Sequence, residues 1–152
     1  MTNAWIAAAQ RLRPHDPAPQ TDTLWVYGVH GGSGESRIAA LHTSWTATQH
    51  AWPDSPGAAV LLVARTSAYG LQAAHSAIAE WAAGRTPGSA ALVGVVLVAD
   101  APGRLPRPLH DLAKLVAGGV DRSWRIGWSE HWRQGDFTVP ALGADRLLKD
   151  LR

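Results

Sequence analysis

The chain has 152 residues, 46% hydrophobic and 17% charged, which is enough apolar material for one domain with a buried core and argues against global disorder. It contains no cysteine, so disulfide scaffolds, thiolate zinc sites, iron–sulfur clusters and cysteine nucleophiles are excluded. The net charge is only +2, from 14 basic and 12 acidic residues; the two signs alternate along the C-terminal half and form no basic block, so specific nucleic-acid binding is not expected.

The longest apolar run, residues 90–99, is too short to cross a bilayer. The start of the chain lacks the charged and apolar regions of a signal peptide. A cytoplasmic protein without a membrane span is the expectation. Residues 1–22 read as an N-terminal arm, with a short helix over 5–12 and extended chain enforced by Pro14, Pro17 and Pro19. Residues 23–152 read as a single domain.

In chain order, the first clear element is the apolar run Leu24-Trp25-Val26-Tyr27, a buried strand. A glycine-rich loop follows over 28–34. Ile38, Leu41 and Trp45 then fall at i, i+3 and i+7, which predicts a helix over 35–48. Residues 60–64 form a second apolar strand, and Ser67 can cap a helix running to about Ala83. Residues 92–98 form a third strand. A helix over 108–116 is closed by Gly118-Gly119. Trp124-Arg125-Ile126 reads as a short fourth strand, and a last helix covers 141–151. Strands that are apolar on both faces and alternate with helices imply a three-layer α/β/α domain, with a mostly parallel, doubly wound sheet of four or five strands.

Open α/β sheets bind ligands beyond the carboxyl ends of their strands. Here that place holds Gly28-Val29-His30-Gly31-Gly32-Ser33-Gly34-Glu35-Ser36. Glycines let backbone amides curl around an anion, and the following helix points its positive end at it. A Gly-x-Ser-x-Gly nucleophile elbow nearly fits around Ser33, but position 35 is Glu, and no acid–histidine pair can be placed beside it.

The stretch resembles the deviant Walker A loop of the ParA/MinD family, Lys-Gly-Gly-x-Gly-Lys-Ser/Thr. His30 stands where the signature lysine stands. Gly31, Gly32 and Gly34 match the three glycines, with Ser33 at the variable position. Glu35 stands where the phosphate-binding lysine would be, and Ser36 matches the Mg²⁺-ligating hydroxyl. The resemblance implies a P-loop NTPase-like fold and ATP or GTP with Mg²⁺ as candidate ligands, with homodimerisation by analogy. The following strands align with it in two ways. In one, Asp100 faces a nucleobase, with Trp128 on the other side. In the other, Asp100 ends a Walker B strand and holds Mg²⁺ through water, and Gly103 senses the γ-phosphate.

Replacing a lysine by Glu35 reverses a Coulomb term of about 4 kcal/mol at 4 Å and an effective dielectric of 20. Two ways out are available to the carboxylate: it swings out to solvent, or it folds back into the loop in the place of phosphate, as the helix dipole favours. The blander alternative is a good first-turn residue on a helix capped by Ser33. The expected function is therefore a degenerate, non-hydrolysing regulatory or assembly module that acts through a protein partner. The alternatives are an atypical ATPase or GTPase using Ser36 and Asp100, and a non-nucleotide binding domain on the same scaffold.

The seven histidines show no metal-binding spacing. Trp25, Trp45 and Trp81 fall at core-facing positions. Trp124, Trp128 and Trp132 recur every four residues among Arg122, Arg125 and Arg133, either as a late core cluster or as a stacking or partner-binding wall. Arg104 to Pro108 reads as a stiff loop entering a helix, with arginines in reach of an anion at the sheet's carboxyl end.

Overall fold

The computed structural model describes residues 23–152. The expected arm over 1–22, with its helix and proline-enforced extended chain, lies outside the described residues. Five parallel strands form one sheet in the order β2-β1-β3-β4-β5. They are β1 (Leu24–Gly28), β2 (Trp45–Ala47), β3 (Ala59–Arg65), β4 (Ala91–Val98) and β5 (Ser123–Ile126). The helices are α1 (Glu35–Ala39), α2 (Ala68–Ala82), α3 (Arg107–Gly118), α4 (Glu130–Arg133) and α5 (Ala144–Leu151).

β3 and the carboxyl half of β4 are buried on both faces, because each residue pair feeds two cores. One core packs α1 and α5 against Val26, Leu61, Val63 and Val96. The other packs α2 and α3 against Val60, Leu62, Val95 and Leu97. The registers Val26↔Leu61, Val63↔Val96 and Val96↔Trp124 keep these faces aligned across the sheet. This is the three-layer α/β/α, doubly wound fold expected, with five strands. The order of strands reverses between β1 and β3, the switch point at which such sheets leave a crevice.

Ser67 caps α2 as expected, its Oγ accepting from the Gly70 amide at 3.1 Å. Leu71, Ala74 and Ile78 are buried, while Trp81 is half-buried and donates from Nε1 to the Ala90 carbonyl at 2.8 Å.

Two local expectations are corrected. The helix over 35–48 is really the five-residue α1, a turn, and the edge strand β2. After Ala40, His42 Nδ1 accepts from the Ser44 amide at 3.1 Å, a local side-chain bond of the kind that competes with the helix. The Thr-rich segment beyond suits extended chain. Trp45 is buried all the same, but from a strand. The last helix begins at Ala144, after a turn through Gly143 at φ 94. Trp124, Trp128 and Trp132 lie in β5, in the following loop and in α4, with Trp124 in the short strand expected for it. Trp124 is core, 6% exposed, with Nε1 donating to Asp150 of α5 at 2.9 Å. Among the described residues no helix is long and apolar enough to cross a membrane.

Candidate functional site

The glycine loop leaves β1 and enters α1 at the carboxyl end of the sheet. The side chains of His30, Ser33 and Glu35 turn inward. Gly34 is the N-cap of α1 in the left-handed region, φ 100, a conformation that glycine adopts without strain. Ser33 is fully buried, and its Oγ accepts from the Glu35 amide at 3.3 Å. The hydroxyl thus serves the first helical residue but does not occupy the cap position.

Glu35 is 6% exposed. Its Oε1 accepts from the Gly28 amide at 2.8 Å, the His50 amide at 2.9 Å and the Thr48 hydroxyl at 3.3 Å. Its Oε2 accepts from the Gln49 amide at 3.2 Å. Four donors match the lone-pair capacity of a carboxylate. The side chain does fold back, but onto the ends of β1 and β2: of the loop glycines Gly28, where β1 ends, donates to it, and the other donors come from Thr48, Gln49 and His50. It holds Gln49 and His50 at φ 61 and 64, a left-handed pair that costs about 1–3 kcal/mol per residue unless its surroundings impose it. His50 adds a further tie, Nδ1 donating to the Gly28 carbonyl at 2.7 Å. The tyrosine hydroxyl of Tyr27 is pushed up by burial first, then by the charges of Glu80 and Glu35.

His30 is also spent on structure. It is 7% exposed. Nδ1 donates to the Gly31 carbonyl at 2.8 Å, and Nε2 accepts from the Arg65 amide at 3.0 Å. The amide partner fixes the tautomer with the proton on Nδ1. Tyr69 packs edge-on against its ring at 5.5 Å. Gly31 and Ser36 are exposed.

Beside the loop is a cavity of about 450 Å³, within the range of small-molecule sites. Gly32, Gly34, Asp100 and Trp128 line it. His30, Gly31, Ser33, Glu35 and Ser36 are not among its lining residues, so only part of the expected set is brought together. Three arginines surround it. Arg65, at the carboxyl end of β3, donates from Nε to the Gly32 carbonyl at 3.0 Å and from Nη1 to the Ala99 carbonyl at 2.9 Å. Arg37 lies 4.0 Å from the Phe137 ring centroid and 5.9 Å from that of Trp132. Arg133 is bound to Glu130 at 2.7 Å. Trp128 donates from Nε1 to Glu130 at 3.0 Å. Glu130 and Asp136 are both held below the usual carboxylate range: Glu130 by its bonds to Trp128 and then Arg133, Asp136 by its bonds from Thr138.

Sequence reasoning missed Arg37, Arg65 and Phe137. Arg65 had the same signal as Asp100, since each polar residue closes an apolar strand at its ligand-facing end. Arg37 and Phe137 are 100 residues apart and carry no such signal. Among the described residues no cluster of three or more His, Asp or Glu is gathered in metal-binding distance.

These features define a doubly wound α/β domain whose glycine loop is tied down from within and whose open cavity is ringed by arginine and tryptophan. Residues 22–147 match the family described as Family of unknown function (DUF6668), and the chain belongs to that family. No curated protein and no solved structure matches it.

Proposed function

We propose that the protein is a degenerate ParA/MinD-like P-loop module that does not turn over nucleotide and acts as a regulatory or assembly unit through a protein partner. The observation that carries this reading is the commitment of Glu35. The residue at the lysine position is a buried anion with four internal donors. It offers no cation for a phosphoryl group in flight, and such charge stabilisation is most of what catalysis of that transfer requires. His30, at the other lysine position, has both ring nitrogens engaged. Glu35 points into its own nest of amides, so the Coulomb repulsion expected from the sequence does not act on the cavity at full strength.

The strand–glycine loop–helix unit at the carboxyl end of the sheet supports P-loop ancestry. So does the presence of Asp100 and Trp128 in the lining of one cavity, which fits the alignment that puts Asp100 near a base better than the Walker B alignment. A second reading, a binding domain of non-nucleotide kind, is favoured by the strand order alone. An order of 2-1-3-4-5 is shared by doubly wound domains that use no P-loop.

The test is phosphate release from ATP and from GTP with Mg²⁺, paired with calorimetric titration of both. No turnover above buffer is expected. Steady turnover that Ser36→Ala abolishes would establish the atypical NTPase instead.

A further inference from the structure

A larger cavity, about 750 Å³, opens where the carboxyl ends of β4 and β5 meet the start of α3. It shares Ala99 and Gly127 with the arginine–tryptophan cavity, and none of the glycine-loop residues lines it. Its floor is apolar: Leu97 and Ile126 come from the strands and are buried. Leu142 stands on its rim with 83% of its surface in water, which adds an accessible aliphatic side chain to that floor.

The charged residues lining the cavity are all basic. Arg104, Arg107 and Arg125 line it, and no Asp or Glu does. Among the described residues, Arg104 and Arg125 have no carboxylate partner, and Arg107 reaches only Asp111, at 3.5 Å in a solvent-exposed pair. Such a pair is weak and easily exchanged. An apolar floor and three arginine forks with no acid among them complement one kind of ligand: an apolar body carrying an anionic head.

We propose that this cavity is a binding site for a small amphipathic organic anion, such as a medium-chain carboxylate or an aryl sulfonate. The body lies over Leu97, Ile126 and Leu142, and the head is held by Arg104 and Arg125. The site is independent of the glycine loop and of any nucleotide.

The probe is 8-anilinonaphthalene-1-sulfonate, followed by fluorescence on the full chain. One saturable site is expected. Decanoate displaces the dye at least about tenfold more effectively than decanol does, as a charge-selected site requires. The double variant Arg104→Glu/Arg125→Glu, with its fold checked by circular dichroism, weakens binding by about tenfold or more. Trp128→Ala, in the neighbouring cavity, leaves it within about twofold. Equal displacement by decanol, displacement by inorganic phosphate alone, or loss of binding in Trp128→Ala overturns the assignment.

A second measurement does not depend on charge reversal. The chain has no cysteine, so Leu142→Cys introduces a unique thiol. Decanoate should slow its alkylation, and decanol at the same concentration should not. Unchanged alkylation in saturating decanoate also overturns the assignment.

Discussion

Two ends of the same sheet edge are built on opposite plans. At the β1–α1 turn, Ser33, Glu35 and His30 are buried and turned into the protein, and their partners are backbone groups. At the β4 and β5 ends, Arg104, Arg125 and Trp128 border open cavities, Arg37 reaches one of them from α1, and their groups are exposed or partly exposed. Polar groups in the first region are already consumed by folding, so changing them alters stability. Those in the second still have capacity to meet a ligand. The glycine motif that stands out in the sequence therefore marks the structural region, and the less conspicuous loops carry the available chemistry.

Glu35→Ala attacks the first region at its centre. It strips the acceptor from three backbone amides and releases the left-handed Gln49–His50 pair, so a loss of about 3–4 kcal/mol is expected in urea unfolding. Glu35→Gln keeps one oxygen acceptor and should recover part of that loss. Glu35→Lys places a cation among donors and should be as harmful as alanine. If Glu35→Lys were as stable as wild type and gained nucleotide affinity, the glycine loop would belong with the open region and the contrast would collapse.

Gly70→Ala tests the same region from α2. A Cβ at this position would overlap the Arg65 carbonyl and come within 2.8 Å of His30 Nε2. Forcing the helix off β3 should cost about 2 kcal/mol, and the melting temperature should fall without change in the cavities at the β4 and β5 ends. A neutral result would mean that α2 can move off the Arg65 carbonyl and His30 at little cost.

Arg37→Ala belongs to the open region. It removes cation–π contact with Phe137 and Trp132, and about 0.5–1 kcal/mol of stability is expected to go with it. The larger consequence should be for an anion in the cavity, read by calorimetry. A destabilisation several times greater would show that Arg37 is structural after all.

The smallest effect is a local response to acid in the segment around α4. Glu130 and Asp136 are lowered from ordinary values of 4.5 and 3.8. A carboxyl lowered in the folded state holds fewer protons there than when unfolded. Its contribution is complete above the ordinary value and fades as pH falls through the lowered one. Hydrogen-exchange protection over residues 129–138, relative to the intrinsic rate at each pH, should therefore fall below about pH 4, ahead of any change in β3 and β4. Simultaneous loosening of the sheet would mean that α4 is not a separate, weakly held element.

The alternation of strands and helices was legible because β3 and β4 are unbroken apolar runs and α2 has its Ser67 cap, signals that depend only on neighbours in the chain. The stretch after α1 was not legible. Ile38, Leu41 and Trp45 satisfy helical spacing, yet Trp45 is buried from an edge strand, since burial rewards the side chain whichever backbone delivers it. Glu35 was visible as a charge at a telling position. Its role was hidden because the groups that receive it at Thr48, Gln49 and His50 lie 13 to 15 residues on.

Sequence alone determined the class of fold, the place of the glycine loop and the absence of lysine from it, because each follows from local pattern and composition. Tertiary structure decided the strand order, the direction in which Glu35 points and the meeting of Arg37, Arg65 and Asp100 with Trp128 around one cavity. Those depend on which distant segments pack together, and long-range packing energy leaves no periodic trace in the chain.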